Sequence, residues 1–302
     1  EIKQLQTLIQ QENRIKEEDL AEQSIIEGEI ELTPIQKWFF SRKYSDKYHY
    51  NQSVMLNFPT SISKETISKI FSKLKENHDA LRIVYSFEDD KVIQHNRGLD
   101  HTLCIEELHI EEEIKDEELN LFCNKIQANI DLEKGSLMKL GLIHTPSTFK
   151  VFVVIHHLVI DTVSWRILIE DIQNLFQLEV KGLPLTLPKK TCSYKTWVKR
   201  IKDYEESAEF TKAVEYWNEF TKMVNEIQLP SKKEGRNTIG LSALETISLS
   251  DEYTSFLLKE VHHTYGTQLQ DLLLSALIIS YHNQYHNNKL LIDFDGHGRK
   301  EA

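Results

Sequence analysis

The sequence predicts an α/β protein built from layered sheets and helices, an α+β layered sandwich. Apolar runs of strand length, such as "NQSVMLNF" (51–58), alternate with longer segments whose apolar residues recur every three or four positions, such as "SKETISKIFSKLKENHDAL" (63–81). The two kinds of segment are mixed along the whole chain rather than separated into halves, which is typical of folds that layer helices on sheets.

The N-terminal third is predicted to contain two further helices and a hairpin. Residues 1–24 have the periodicity of an amphipathic helix, which we interpret as a linker that caps a domain. "LTPIQKWFF" (32–40) follows as a helix, because Pro34 suits a first helical turn. "LRIVYSFEDDKVIQHN" (81–96) predicts two strands around the turn "EDD".

The middle of the chain is predicted to contain an acidic helix over about 111–129 and then a second hairpin. Its strands, "LMKLGLIH" (137–144) and "FKVFVVIHH" (149–157), are apolar and are separated by the turn sequence "TPST". Asp161 or Thr162 can cap the helix that comes next.

A connection with two prolines, "KGLPLTLPKKTCSY" (181–194), indicates a boundary between lobes. The predicted elements after it are helices over about 194–226, a strand at "GLSALETISL" (240–249), helices at "DEYTSFLLKEVHHTYG" (251–266) and "QLQDLLLSALIISYHNQY" (268–285), and a strand at "KLLIDFD" (289–295).

Length and composition exclude several classes of protein. The chain has 302 residues, which favours two domains, and its 40% hydrophobic and 27% charged residues fit an ordinary globular protein. The net charge of −11 argues against non-specific nucleic-acid binding, which needs a basic surface. Because no run approaches ~18 apolar residues, we also expect no membrane span.

The cysteines indicate a reducing compartment. Cys104, Cys123 and Cys192 are odd in number and widely spaced, and the sequence has no CxxC or Cys/His metal spacing. We therefore predict free thiols, no metal site and a cytoplasmic location. The charged N-terminus lacks a signal peptide and an initiator methionine, so we expect the chain to begin inside a longer polypeptide.

Titratable residues cluster at the end of the second hairpin. His156 and His157 close an apolar strand, and Asp161 follows four residues after the second histidine. Histidine is the usual acid/base near neutral pH, and ligands often bind at strand ends in layered α/β folds. Because adjacent strand residues point to opposite faces, at most one histidine can face a given cavity. The alternatives are two core histidines and, for Asp161, either a helix N-cap or a carboxylate paired with a buried arginine.

A second cluster lies in "DFDGHGRKEA" (293–302), where Asp295 follows the last predicted strand. His297 and Arg299 add a titratable group and an anion-binding group between glycines that allow close backbone approach. A carboxylate here, facing a histidine from another sheet, would form an acid/base pair across a cleft. An ordinary tight turn is the alternative.

Five segments together resemble the condensation superfamily of nonribosomal peptide synthetases, and more closely its epimerization domains. In the order of the family's motifs they are "LTPIQKWFF" (32–40), "IDLEKGSLMKLGLI" (130–143), "HHLVIDTVSWRILIEDI" (156–172), "DLLLSALIISY" (271–281) and "DFDGHGRKE" (293–301). The forms "PIQKWFF", "VSWRIL" and "GHGR" favour epimerization over condensation.

The resemblance implies two chloramphenicol-acetyltransferase-like lobes around a solvent channel. Residues 1–24 would be a linker helix after a carrier domain, 25–205 a complete N-terminal lobe, and 206–302 a partial C-terminal lobe. The chain ends before the family's later motifs.

The resemblance also implies a reaction, the conversion of L to D at the Cα of an aminoacyl or peptidyl thioester. The substrate would be carried on the 4′-phosphopantetheine of a peptidyl carrier protein, and the domain would need no cofactor of its own. The expected partners are an upstream carrier domain and adenylation domain of the same polypeptide and a downstream condensation domain, with no nucleic acid or membrane.

Roles follow for residues that match the motifs. His157 matches the catalytic histidine, and Asp295 stands where the family has a glutamate, its other acid/base. Asp161 matches a structural aspartate, expected to pair with Arg82, and His156 would be the supporting histidine. The remaining supporting residues would be Ser164, Trp165, His297 and Arg299.

Three positions depart from the pattern. Thr162 replaces a glycine and would be strained if that site needs a positive φ. Asp295 is one methylene shorter than glutamate, and Lys300 replaces a final glutamate. Two alternatives therefore remain beside epimerization, a condensation domain that forms amide bonds and a degenerate, non-catalytic domain that docks a carrier protein.

Overall fold

The computed structural model describes residues 21–89, 91–99, 103–111, 115–224, 227, 238–261, 266–294 and 296. Residues 1–20 of the predicted linker helix lie outside this part of the chain. The chain divides between Ser207 and Ala208 into two compact units.

The strands of the first unit form two sheets. They are β1 Gly28–Ile30, β2 Asn51–Phe58, β3 Ile83–Glu88, β4 Lys91–Asn96, β5 Cys104–His109, β6 Met138–His144 and β7 Phe149–His156. One sheet has the order β1-β4-β3 and the other β2-β7-β6-β5. Neighbouring strands are antiparallel except β5 and β6, which are parallel.

The described residues of the first unit form five helices. They are α1 Pro34–Ser41, α2 Lys64–Asn77, α3 Asp116–Ala128, α4 Thr162–Val180 and α5 Tyr194–Glu205. Ser63 and Ser193 accept hydrogen bonds from the backbone N–H groups three residues on, at the starts of α2 and α5. Pro34 occupies the first turn of α1, as predicted.

Most elements predicted for the described residues of this unit are confirmed, including β2, both hairpins and helices α1 to α5. The predictions omitted β1 and β5. β5 has the sequence "CIEELH". Its two adjacent glutamates are uncommon in strands, and for that reason the sequence did not predict it. Its pairing with β6, which follows α3 in the chain, supplies the hydrogen bonds that hold it in the sheet.

β7 is buried on both faces and separates two hydrophobic clusters. Val151, Val153 and Ile155 face the cluster that includes α2 and α4, while Phe152 and Val154 face the cluster that includes α3 and the three-stranded sheet. This alternation continues to the end of the strand and decides where the two histidines point.

In its described residues, the second unit contains helices α6 Ala208–Val224, α7 Asp251–Lys259 and α8 Leu269–Tyr285, with a short 3₁₀ turn at Ile239–Leu241. The strands predicted over 240–249 and 289–295 are wrong for the residues that the structure describes there. A strand needs a neighbour to satisfy its backbone groups, and Leu244 and Ile247 are 91% and 94% exposed instead.

The three cysteines are free, as predicted. In the described part of the chain, every helix is too short or too polar to cross a membrane.

Candidate functional site

His156 is the last residue of β7 and points into the protein interior, where it is 0% exposed. Its Nε2 lies 3.0 Å from the carbonyl oxygen of Lys47, so Nε2 carries the proton. Its Nδ1 accepts a hydrogen bond from the backbone N–H of Leu158 at 3.2 Å. Burial lowers the pKa of His156 to about 4, and the ring is therefore neutral at physiological pH.

His157 points the opposite way and is exposed to solvent. Its Nδ1 lies 2.7 Å from the carbonyl oxygen of Ile160, which can only accept, so Nδ1 donates. The lone pair is consequently on Nε2. The ring also stacks on Tyr50, with centroids 5.4 Å apart and planes inclined by 16°. This confirms the prediction that the two histidines face opposite sides, and it leaves one exposed imidazole in a defined tautomer.

A chain of hydrogen bonds orients the exposed ring. The indole N–H of Trp165 donates to Oε1 of Gln52 at 2.9 Å, which fixes the orientation of the Gln52 amide. The Nε2 of Gln52 therefore faces the Nε2 of His157, at 3.3 Å, and donates to its lone pair. The donating Gln52 amide requires a lone pair on Nε2 of His157, and the Ile160 carbonyl requires a proton on its Nδ1. One tautomer of His157 satisfies both.

The corner after the strand is held by a helix cap. Oδ1 of Asp161 accepts hydrogen bonds from both the backbone N–H and the hydroxyl of Ser164, each at 2.6 Å. Asp161 is thus the N-cap of α4. Thr162 begins the helix, and the described non-glycine residues with positive φ are Asp89, Ser136 and His286. The replacement of glycine at 162 therefore causes no backbone strain.

The expected ion pair between Asp161 and Arg82 is wrong. Arg82 is buried in the 3₁₀ turn after α2, and its guanidinium donates to backbone carbonyl oxygens of Lys75, Glu76, Ile26 and Arg97. The carbonyls at the end of a helix lack intrahelical donors, and Arg82 satisfies two of them for α2. The arginine stabilises a helix end instead of the histidine corner.

Helix α1, which carries the segment "LTPIQKWFF" (32–40), packs against the buried side of the strand end. Phe39 of α1 contacts the buried His156 edge-on, with ring centroids 6.0 Å apart. Gln36 is buried and donates to the hydroxyl of Tyr85 and to Oε1 of Gln94, which joins α1 to the three-stranded sheet. These contacts fix the position of the strand end from the interior side.

Sequence reasoning missed Gln52 and Tyr50. Gln52 lies on the face of β2 that carries Val54, Leu56 and Phe58, which pack against the core. A glutamine in an otherwise apolar alternation was the available signal. It was not specific, because its partner Trp165 is more than 100 residues away in the chain.

The second predicted cluster lies outside the described residues. Asp295, His297, Arg299 and Lys300 belong to positions of which the structure gives no account. Their roles remain predictions. In the described residues, the exposed ring of His157 carries its proton on Nδ1 and a lone pair on Nε2, which is the arrangement that a general base requires.

Comparison with known proteins identifies relatives over nearly the whole chain. A family model described as the condensation domain matches residues 26–302. Gramicidin S synthase 1 of Brevibacillus brevis is 36% identical over 93% of this chain and 26% of that protein. Tyrocidine synthase 2 of Brevibacillus parabrevis is 37% identical over 93% of this chain and 8% of that protein. The chain thus spans about a quarter or less of the length of these relatives.

Solved structures give the same picture. The epimerization domain from the third module of tyrocidine synthetase B has a TM-score of 0.80 and 35% identity, covering 88% of this chain and 62% of that one. The first condensation domain of the calcium-dependent antibiotic synthetase has a TM-score of 0.67 and 15% identity, covering 86% and 62%. The second match shows the fold alone, and together they confirm the predicted fold class.

Proposed function

Because the chain belongs to the condensation-domain family, we propose that it is an epimerization domain of a nonribosomal peptide synthetase. It would convert L to D at the Cα of an aminoacyl or peptidyl thioester carried on the 4′-phosphopantetheine of a peptidyl carrier protein. The 35% identity to a solved epimerization domain, against 15% to a solved condensation domain, supports this choice.

His157 is the proposed base. Its Nε2 takes the Cα proton, and the electron pair of the broken C–H bond moves onto the thioester to give an enolate. The protonated ring keeps its Nδ1–H bond to the carbonyl of Ile160, which stabilises the charge and prevents the ring from turning. Return of a proton to the opposite face of Cα completes the inversion.

The hydrogen-bond chain from Trp165 through Gln52 to His157 is the observation that carries the proposal. Trp165 belongs to the "VSWRIL" segment, which resembles the epimerization form of the motif. In this protein its indole orients the amide that aligns the base. The contact between Gln52 and His157 is long at 3.3 Å, so a substrate proton can replace the amide N–H at small cost.

Asp295 is proposed as the group on the other face of Cα. Its side chain is shorter than the glutamate of the family by more than ~1 Å, whereas catalytic geometry tolerates about 0.5 Å. The substrate must therefore bind closer to Asp295 than it would to a glutamate. Thr162 does not strain the corner, and its side chain would act only by narrowing the path of the pantetheine arm.

The partners follow from the same proposal. A carrier domain upstream delivers the thioester, an adenylation domain of the same polypeptide loads it, and a downstream condensation domain accepts the D-product. We propose no cofactor of the domain's own, because deprotonation next to a thioester carbonyl needs only a base, an acid and donors for the enolate oxygen.

The test is proton exchange at Cα. The carrier protein is loaded with an L-aminoacyl or L-peptidyl thioester in D₂O, and deuterium incorporation and the D:L ratio are followed with wild type and with His157→Ala. We expect deuterium gain and D-product with wild type, and loss of both with the variant.

Two other outcomes would replace the proposal. Carrier binding without any exchange would indicate the degenerate docking domain, and departures at Asp295 and Lys300 would explain it. Formation of an amide between two loaded carriers would indicate a condensation domain.

A further inference from the structure

A second group of titratable side chains lies at the far end of the four-stranded sheet. Glu107 and His109 are two residues apart on β5, which puts their side chains on the same face. His144 ends β6 and is the register partner of His109 in the parallel pair, so it shares that face. Strand β7 runs from Phe149, which pairs with His144, to His156 and is about 23 Å long at ~3.3 Å per residue. This group therefore lies at the opposite end of the strand from His157.

The three side chains converge on one point. Nε2 of His144 lies 3.2 Å from Oε2 of Glu107, and Nε2 of His109 lies 3.9 Å from the same oxygen. The imidazole rings are stacked, with centroids 4.3 Å apart and planes inclined by 10°. One ligand atom from each residue lies within 4.8 Å of the others.

These separations fit a bound transition-metal ion. Zn²⁺ forms bonds of about 2.0–2.2 Å to nitrogen and oxygen, and tetrahedral geometry puts neighbouring ligand atoms about 3.4 Å apart. The observed distances of 3.2 and 3.9 Å from the two imidazole nitrogens to Oε2 of Glu107 lie on either side of this value, so side-chain rotations would bring the three ligand atoms around one ion. Two imidazoles with one carboxylate favour Zn²⁺ over Ca²⁺ or Mg²⁺, which prefer oxygen ligands.

Lys64 occupies the other side of the carboxylate. Its Nζ lies 2.6 Å from Oε1 of Glu107, on the oxygen that does not face the histidines. This hydrogen bond orients the carboxylate in the way that outer partners orient metal ligands. The lysine's positive charge opposes a second cation, so the ion would bind on the other oxygen, Oε2.

We propose that Glu107, His109 and His144 form a Zn²⁺ site with water in the fourth position. His109 is 67% exposed, so solvent can reach the ion. Because β5 is an edge strand of the four-stranded sheet, an ion held by both β5 and β6 would fasten that edge to the sheet. The sequence predicted no metal site, since the ligands come from two strands far apart in the chain.

Zinc titration of the metal-free chain, purified without a histidine tag and kept reduced, tests the site. We expect one equivalent of Zn²⁺ to bind wild type, and His109→Ala/His144→Ala to bind at least about tenfold more weakly. Glu107→Gln is expected to weaken binding in the same direction. Zinc should also raise the melting temperature of wild type but not of the double variant.

Two control variants separate this site from other zinc ligands. Cys104→Ser removes a thiol on the same strand, and His49→Ala/His95→Ala removes two histidines elsewhere. Both should bind zinc like wild type. Equal zinc affinity of wild type and His109→Ala/His144→Ala would overturn the proposal, as would a loss of binding with Cys104→Ser. Circular dichroism confirms that each variant is folded.

Discussion

His156 and His157 are neighbours in the chain, yet the first is 0% exposed and the second is exposed to solvent. On the buried side of the strand end, His156 is hydrogen-bonded to the backbone carbonyl of Lys47 and packs against Phe39. On the exposed side, the next histidine is bonded to Ile160 and aligned by Gln52. The same kind of side chain thus serves as a structural link on one face and as the proposed base on the other.

The difference shows that environment, rather than residue type, sets the role of a titratable group. Burial lowers the pKa of His156 to about 4, so it keeps a fixed hydrogen-bonding pattern across the physiological range. His157 has one nitrogen committed to a carbonyl and the other directed toward solvent and Gln52. The interior histidine positions the strand end that presents the outer one.

The largest expected effect is loss of activity without loss of fold on the exposed side. His157→Ala should slow Cα exchange by about 10²–10⁴-fold, which is the usual contribution of a general base. Its stability should change by about 0.5 kcal/mol or less, because the ring is at the surface. Exchange rates and thermal melts of the two proteins measure both quantities. A residual rate within tenfold of wild type would contradict the assignment of the base.

The buried side should respond to acid instead. In the folded protein the pKa of His156 is about 4, below the ordinary value of 6.5 expected after unfolding. The folded state therefore binds fewer protons, and stability is lost as the pH falls from 6.5 toward 4. Between pH values above 6.5 and below 4, this difference in the pKa of His156 changes the free energy of unfolding by about 3 kcal/mol.

His156→Gln tests this, since glutamine can still donate to the Lys47 carbonyl but cannot gain a proton. Urea unfolding at several pH values between about 7 and 4 should show a shallower loss of stability in the variant. His49→Gln, at an exposed histidine, is the matched control and should follow wild type. Parallel curves for wild type and His156→Gln would show that His156 is not the acid-sensitive group.

A smaller effect should follow when the aligning chain is broken. Gln52→Leu and Trp165→Phe each remove the hydrogen bond between these two residues, and we expect kcat to fall about tenfold, or about 1.4 kcal/mol, with KM unchanged. Because both changes break the same chain of hydrogen bonds to His157, the double variant should be no slower than either single variant. Ser53→Ala, on the other face of β2, serves as the control. Multiplied losses in the double variant would mean that the two residues act separately.

The smallest effect is expected at Thr162, which stands where the family has a glycine. Thr162 has a helical backbone in the first turn of α4, so Thr162→Gly should lower the free energy of unfolding by about 0.5–1 kcal/mol. Thr162→Ala should remain within about 0.5 kcal/mol of wild type. A gain in stability with glycine, measured by urea unfolding, would show that threonine strains this corner.

The predictions from sequence succeeded where the pattern was local. The apolar run and the neighbouring turn predicted a strand over "FKVFVVIHH" (149–157), and strand geometry implied that its two histidines face opposite sides; both are confirmed. Asp161 had two open interpretations, and the N-cap is the correct one. The prediction for Arg82 was wrong because a helix end, adjacent in the chain, supplied nearer acceptors than Asp161.

Local periodicity was therefore enough to predict the fold class and the strand that carries the site, because both depend on residues a few positions apart. The histidine proposed as the base was indicated by the resemblance of ordered motifs along the chain. The burial of His156, the alignment of His157 by Gln52 and Trp165, and the meeting of Glu107 with His144 depend on strand pairing and packing. Those last contacts join residues 37 to more than 100 positions apart, and a sequence does not show which distant side chains a sheet will bring within hydrogen-bond distance.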